Sequence, residues 1–362
     1  METLVQRAVR GQYNIGFLSQ PALGKTTKIN EIAARLQADD PDFFFTHLDC
    51  GTLTPTDLVM SMPDMAEKTI VRLVDSRLPN GYHTPNLRGM VYWGEWMLAG
   101  MEVNRGLQKL VNHEDCGGFR LPLGVISIMD GNRQKDRSAA QTQSRALMSR
   151  FEVWELEYDP EYALNVMKQY HERVAAFGIR NPGCIDNYAD VFESEQREAN
   201  DLIFLEGKRG AWANLRSWDR VSRKLRDADE RGERLIDGEI EANVGSGIAA
   251  SYNAFSNMID RLATLEDIIA DPTNVEVPGK MDEQYGLSTM LALLVNKDSF
   301  KPISVYMQRY KHEIQMVFFR TMNDRLNKAK DGNASAIKSS KEYKAWITAK
   351  HINDLLRGAA SV

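Results

Sequence analysis

The chain switches between short unbroken apolar runs and longer stretches in which apolar positions recur every three or four residues. Five of the runs have strand length: YNIGFL at 13–18, FFFTHLDC at 43–50, GMVYWGEW at 89–96, PLGVISIMD at 122–130 and FEVWEL at 151–156. Apolar runs of this length, rich in β-branched and aromatic residues, read as strands. From Lys25 to about Gln37 the pattern sets Ile29, Ile32, Ala33 and Leu36 on one stripe, which predicts a helix. Strands separated by helices or loops predict an α/β fold with a mainly parallel, five-stranded sheet.

After Pro160 the strand pattern fades and helical periodicity takes over. Residues 160–177, 185–206, 214–231 and 244–264 read as helices. The Pro- and Gly-bearing stretch DPTNVEVPGK, 271–280, then sets off a last helical unit. KDGNASAIKSSK, 330–341, is polar and rich in small residues, so a mobile loop is expected there. The expected division is an α/β core over 1–159, a helical unit over 160–264 and a helical extension over 265–362.

Composition narrows the class without naming a function. At 362 residues, with 43% hydrophobic and 26% charged residues, the chain suits two or three packed units rather than disorder. No apolar run approaches the roughly 20 residues needed to span a bilayer, and METLVQRAVRG does not read as a secretory signal. Cys50, Cys116 and Cys184 are too few and too scattered for a disulfide framework or a zinc site, so a reducing, cytoplasmic setting is the default. The net charge of −5 offers no overall basic face for duplex DNA. The basic stretches Arg216–Arg226 and Lys338–Lys344 read first as solvated helix faces.

The strongest chemical signal is SQPALGKTT, running through Ser19, Gln20, Pro21, Ala22, Leu23, Gly24, Lys25, Thr26 and Thr27. Gly24-Lys25-Thr26 fits the end of a P-loop, between a predicted strand and a predicted helix. Such a loop cradles phosphates with backbone N–H groups, neutralises them with lysine and offers a hydroxyl to magnesium. Ser19 stands where the first glycine belongs, and a serine held at positive φ is expected to cost about 1 kcal/mol or more. A chance Gly-Lys-Thr in an ordinary strand–turn–helix reads the same way. Further along, MVYWGEW ends in Glu95, a candidate to polarise water, but has Gly94 where a metal-supporting aspartate is usual. A terminal glutamate that is merely solvated fits as well. Trp93 and Trp96 flank Glu95 and could shield it from water.

Three more positions follow in order. Asn132, at the tip of the fourth predicted strand, could orient water, or belong to a simple Gly-Asn turn. Arg150, just before the fifth strand, could act as a finger on a neighbouring subunit's phosphate, or be a surface arginine. Arg216 opens the helix NLRSWDRVSRKL.

With these residues in this order, the chain resembles the MoxR-like branch of AAA+ ATPases, notably the forms carried by phages and the dynein-related group. GNRQKDRSAAQTQSRALMSRFEVWELEYD resembles its stretch from sensor 1 to the arginine finger, and ANLRSWDRVSRKL its sensor 2 helix. LEDIIADPTNVEVP and KEYKAWITA resemble its C-terminal region. The resemblance implies a P-loop NTPase core, a helical lid and a helical extension. It implies ATP and Mg2+ as cofactors, with Lys25 and Thr26 in Walker A, Glu95 in Walker B, Asn132 as sensor 1, Arg150 as the finger and Arg216 as sensor 2. It further implies a homo-oligomeric, hexameric ring that remodels a protein partner beside a von Willebrand factor A domain protein, in the host cytoplasm if phage-encoded. Ser19, Ala22 and Gly94 depart from the family's Gly, Gly and Asp. Asp130, at the tip of the strand beside Walker B, could replace part of the missing carboxylate at the metal, or simply cap a turn. A nucleotide-stabilised scaffold with little hydrolysis, and a nucleic-acid-directed motor, are the alternatives.

Overall fold

A computed structural model of the chain describes residues 1–133, 136, 145–189, 191, 211–236, 238–329, 331–349 and 352. The chain divides into two compact units, Met1–Tyr158 and Asp159–Val362.

The first unit is α/β. It runs through α1 (Glu2–Gly11), β1 (Ile15–Ser19), α2 (Lys25–Asp39), β2 (Phe44–Asp49), α3 (Pro55–Leu58), β3 (Met60–Asp64), β4 (Thr69–Leu73), β5 (Gly89–Gly94), α4 (Met101–Leu110), β6 (Val125–Asn132), α5 (Arg145–Met148) and β7 (Glu152–Leu156). The five expected strands form one sheet in the order β2-β5-β6-β1-β7, and every neighbouring pair is parallel. β1 therefore lies inside the sheet, between β6 and β7. Alternate residues of the apolar runs feed two separate cores, as period-two geometry requires. Ile15, Phe17, Met90, Tyr92, Ile126 and Ile128 pack with Val5 and Ala8 of α1 and Ile29, Ile32 and Ala33 of α2. On the opposite face, Val91, Trp93, Val125 and Met129 pack with Val103, Leu107 and Leu110 of α4. Trp93 and Trp96 belong to this second core, so they fill the α4 side rather than screening the P-loop face.

β3 and β4 make a separate antiparallel hairpin that the apolar pattern did not announce. Met60 faces Leu73 and Met62 faces Val71 across it, and all four are more than two-fifths exposed.

The second unit is helical in all its described elements: α6 (Pro160–Met167), α7 (Glu172–Arg180), α8 (Leu215–Arg231), α9 (Glu241–Val244), α10 (Ser246–Ile259), α11 (Leu265–Ala270), α12 (Met281–Leu294), α13 (Phe300–Met307), α14 (His312–Lys328), α15 (Gly332–Ser339) and α16 (Lys341–Thr348). Phe177, Trp218, Tyr252 and Phe255 form an aromatic cluster between α7, α8 and α10. Leu287, Leu291, Ile303, Tyr306, Phe318, Phe319 and Trp346 lead a second cluster among α12 to α16.

Two expectations change here. The single helix expected over 160–177 is broken into α6 and α7, because His171 leaves helical geometry and its Nδ1 accepts the Arg173 N–H as a cap. The loop expected over 330–341 contains α15, capped by Asp331 and anchored through buried Ala334 and Ile337. Small polar composition hid two apolar positions three residues apart, which is enough for two turns against a core. Of the helix expected over 185–206, residues 190 and 192–206 lie outside the described residues.

Candidate functional site

β1 ends at Ser19, and the chain passes through a turn into α2. Gly24 precedes α2 at φ 76°, a left-handed angle that glycine adopts without steric cost. Ala22 takes the same region at φ 64° with a Cβ present. Ser19, by contrast, is extended strand, so the strain expected at Ser19 falls on Ala22 instead. The first turn of α2 carries no acidic residue and no side-chain cap hydrogen bond, so its positive dipole end suits an anion.

Lys25 is buried, and its ammonium donates to Ser19 Oγ at 2.8 Å, Asn132 Oδ1 at 3.2 Å and the Gln20 carbonyl at 3.5 Å. It thereby ties the tip of β1 to the tip of β6. Ser19 Oγ in turn donates to the Gln20 carbonyl at 2.7 Å, a use of the hydroxyl that glycine would not offer.

Asp130 lies two residues before Asn132, on the same face of β6. It is 1% exposed; Oδ1 accepts the Glu95 N–H at 2.9 Å, while Oδ2 has no hydrogen-bond partner. Burial pushes its carboxyl above the usual range, against the pull of Lys25. Beside it, the Tyr92 hydroxyl donates to Thr26 Oγ1 at 3.2 Å. An orphaned buried carboxylate oxygen near a threonine hydroxyl is a donor set that fits a hard divalent cation.

Glu95 begins the turn after β5 at φ 50°, partly exposed. That angle turns the chain away from the strand immediately after Gly94. Arg150 occupies the turn between α5 and β7 and is partly buried; its carbonyl accepts from Asn14 Nδ2 at 3.4 Å. Thus Ser19, Lys25, Thr26, Glu95, Asp130 and Asn132 gather at the C-terminal ends of β1, β5 and β6, where ligands bind in open α/β sheets. Arg216 belongs to the second unit, exposed in the first turn of α8, behind the Asn214–Ser217 capping box.

His47 was not anticipated. It lies on β2 opposite Tyr92 and stacks on that ring, 4.3 Å between centroids and 24° between planes. A Cβ at Gly94 would come 2.6 Å from His47 Nε2, so imidazole fills the space of the absent residue-94 side chain. Burial holds the imidazole below its ordinary titration range, against the pull of Asp130 and Asp49. The available signal was Gly94 itself: a side chain missing from one strand leaves room for its neighbour.

A different ligand-type cluster occurs among the described residues of the second unit. His171 Nε2 lies 2.7 Å from Asp229 and 3.5 Å from Glu172. Because Nδ1 accepts the Arg173 N–H, the ring proton sits on Nε2 and is donated to Asp229. That leaves no imidazole lone pair for a metal, and the cluster reads as a helix-capping network.

No family model matches the chain, and no curated protein does. Among solved structures, the chain is similar to the Holliday junction branch migration motor RuvB of Thermotoga maritima. The identity is 19%, over 75% of this chain and 74% of that one, with a TM-score of 0.35. A point mutant of the same RuvB gives 17% identity, 75% and 73% coverage and a TM-score of 0.36. A protein of Cytophaga hutchinsonii is 9% identical over 88% of this chain and 80% of that one, with a TM-score of 0.31.

Proposed function

We propose that the chain is an AAA+ ATPase of the MoxR-like kind that binds ATP at the end of β1. The observation that carries this reading is the Lys25 ammonium, shared between Ser19 at the tip of β1 and Asn132 at the tip of β6. A lysine that merely occupied a turn would place its charge in water rather than bury it on two strand tips. The strand order, with the P-loop strand inside the sheet and the Glu95 strand beside the Asn132 strand, supports the same reading.

In this reading, phosphate oxygens take over the Lys25 ammonium and the N–H groups opening α2. Ser19, Gln20, Pro21, Ala22, Leu23 and Thr27 complete the loop around them. Thr26 and Asp130 would hold Mg2+, which supplies charge neutralisation at the phosphates when bound. Glu95 polarises the attacking water, and Asn132 orients it. Arg150 acts as the finger toward a second copy of the chain, and Arg216 is the sensor of the helical unit. The homo-oligomer is a ring, and its work is to remodel a protein partner, with a von Willebrand factor A domain protein as the candidate. The exposed apolar face of the β3–β4 hairpin favours a protein client over nucleic acid, whose backbone calls for clustered cations.

Steady-state turnover tests this. Wild type should hydrolyse ATP, and Glu95→Gln should lower the rate by about 100-fold while ATP is still bound. A second reading, a nucleotide-stabilised scaffold, is favoured by Gly94 in place of a carboxylate; equal background rates in both proteins would select it. Failure of wild type to bind ATP would overturn both, and turnover stimulated by DNA would overturn the protein-client assignment.

A further inference from the structure

Gly94 and His47 occupy one volume between them. The position a Cβ would take at residue 94 lies 2.6 Å from His47 Nε2, 3.4 Å from Cδ2 and 3.7 Å from Cε1. A side chain at 94 and the imidazole in this orientation compete for the same space, since the 2.6 Å approach to Nε2 is closer than carbon–nitrogen contacts allow and one of the two must move. The strand register puts Gly94 beside Asp49 of β2, while His47 pairs with Tyr92. His47, Tyr92 and Gly94 therefore share the sheet face that carries α2. Stacking on Tyr92 fixes the imidazole plane, and the Tyr92 hydroxyl fixes Thr26 Oγ1 at 3.2 Å. One threonine lone pair is used in accepting from Tyr92, and the second remains for a cation. Asp130, on the neighbouring strand, keeps Oδ2 buried and without a hydrogen-bond partner.

We propose that His47 Nε2 takes the place of the metal-side carboxylate missing at residue 94 and, with Thr26 Oγ1 and Asp130 Oδ2, makes a divalent-cation site of mixed nitrogen and oxygen donors. This deepens the nucleotide-binding reading and rests on it for the site's purpose. The consequence is a change of cation preference. Oxygen-only sites suit Mg2+, whereas an imidazole donor favours first-row transition ions. The site should therefore hold Mn2+ or Co2+ in preference to Mg2+, more strongly than a carboxylate version of itself would.

The test uses the full chain with histidine labelled in 15N, loaded with Mn2+ alone and with Mn2+ plus a slowly hydrolysed ATP analogue. Pulsed electron paramagnetic resonance reads nitrogen bonded to the manganese, and equilibrium dialysis reads nucleotide retention separately. A 15N coupling present in wild type and lost in His47→Asn supports the site. The exchange variant His47→Gly/Gly94→Asp restores the carboxylate and relieves the clash. It should bind Mn2+ without the coupling, and its Mn2+-to-Mg2+ affinity ratio should fall by about tenfold. Manganese held with nucleotide but without 15N coupling would overturn the proposal, as would a coupling unchanged in His47→Asn or no Mn2+ retained at millimolar concentration. Histidine-coupled manganese with no nucleotide retained would keep the metal site and overturn the ATP reading instead.

Discussion

Ala22 holds φ at 64°, a left-handed angle that costs an L-residue about 1–2 kcal/mol. Glycine removes that strain but gives the unfolded chain more freedom, so the two effects partly offset. Ala22→Gly is expected to stabilise the protein by about 0.5–1 kcal/mol, read as a higher urea midpoint; an unchanged or lower midpoint would discard the strain argument. His113 carries a pH prediction. It sits at φ 57°, its Nδ1 donates to the Leu121 carbonyl at 3.3 Å, and burial holds its imidazole below the ordinary range. The unfolded chain therefore binds the proton first, and stability falls as pH drops below the ordinary histidine value. Asparagine tolerates the left-handed angle. Unfolding of His113→Asn should accordingly lose less stability between pH 7 and pH 5 than wild type, and parallel losses would count against it.

At the scale of elements, the helix α15 shows how composition misleads. KDGNASAIKSSK has the residues of a loop, yet Asp331 accepts the Ala334 N–H at 2.8 Å and Ile337 is buried. Removing the cap by Asp331→Ala should cost about 1 kcal/mol. Hydrogen exchange would locate that loss in the amides of 332–339, and an unaltered pattern there would mean that the cap does not hold the helix. The five sheet strands were legible as runs of strand length rich in β-branched and aromatic residues. The hairpin β3–β4 was not, since its apolar residues lie open rather than in a core. β7 closes one sheet edge with Glu152 and Glu155 exposed among its residues, and charges on an edge discourage pairing with another chain.

For the molecule as a whole, ligand binding and stability are linked. ATP at 100 times its dissociation constant should stabilise the chain by about 2.7 kcal/mol, seen as a raised unfolding temperature that grows with ATP concentration. Lys25→Ala should abolish the shift, and a shift that survives would detach nucleotide from this loop. Much of the candidate site was legible, because a P-loop lysine, a strand-end glutamate and a strand-end asparagine are local patterns with fixed spacing. Sequence alone determined the five strands, the change to helices after Pro160 and the identity of Lys25, Thr26, Glu95 and Asn132 as candidates. Only the tertiary structure decided that Lys25 joins Ser19 to Asn132, that strain rests on Ala22, and that His47 fills the space above Gly94. Those facts depend on which strands become neighbours and in what register. Pairing is made by residues tens of positions apart, so local periodicity does not encode it.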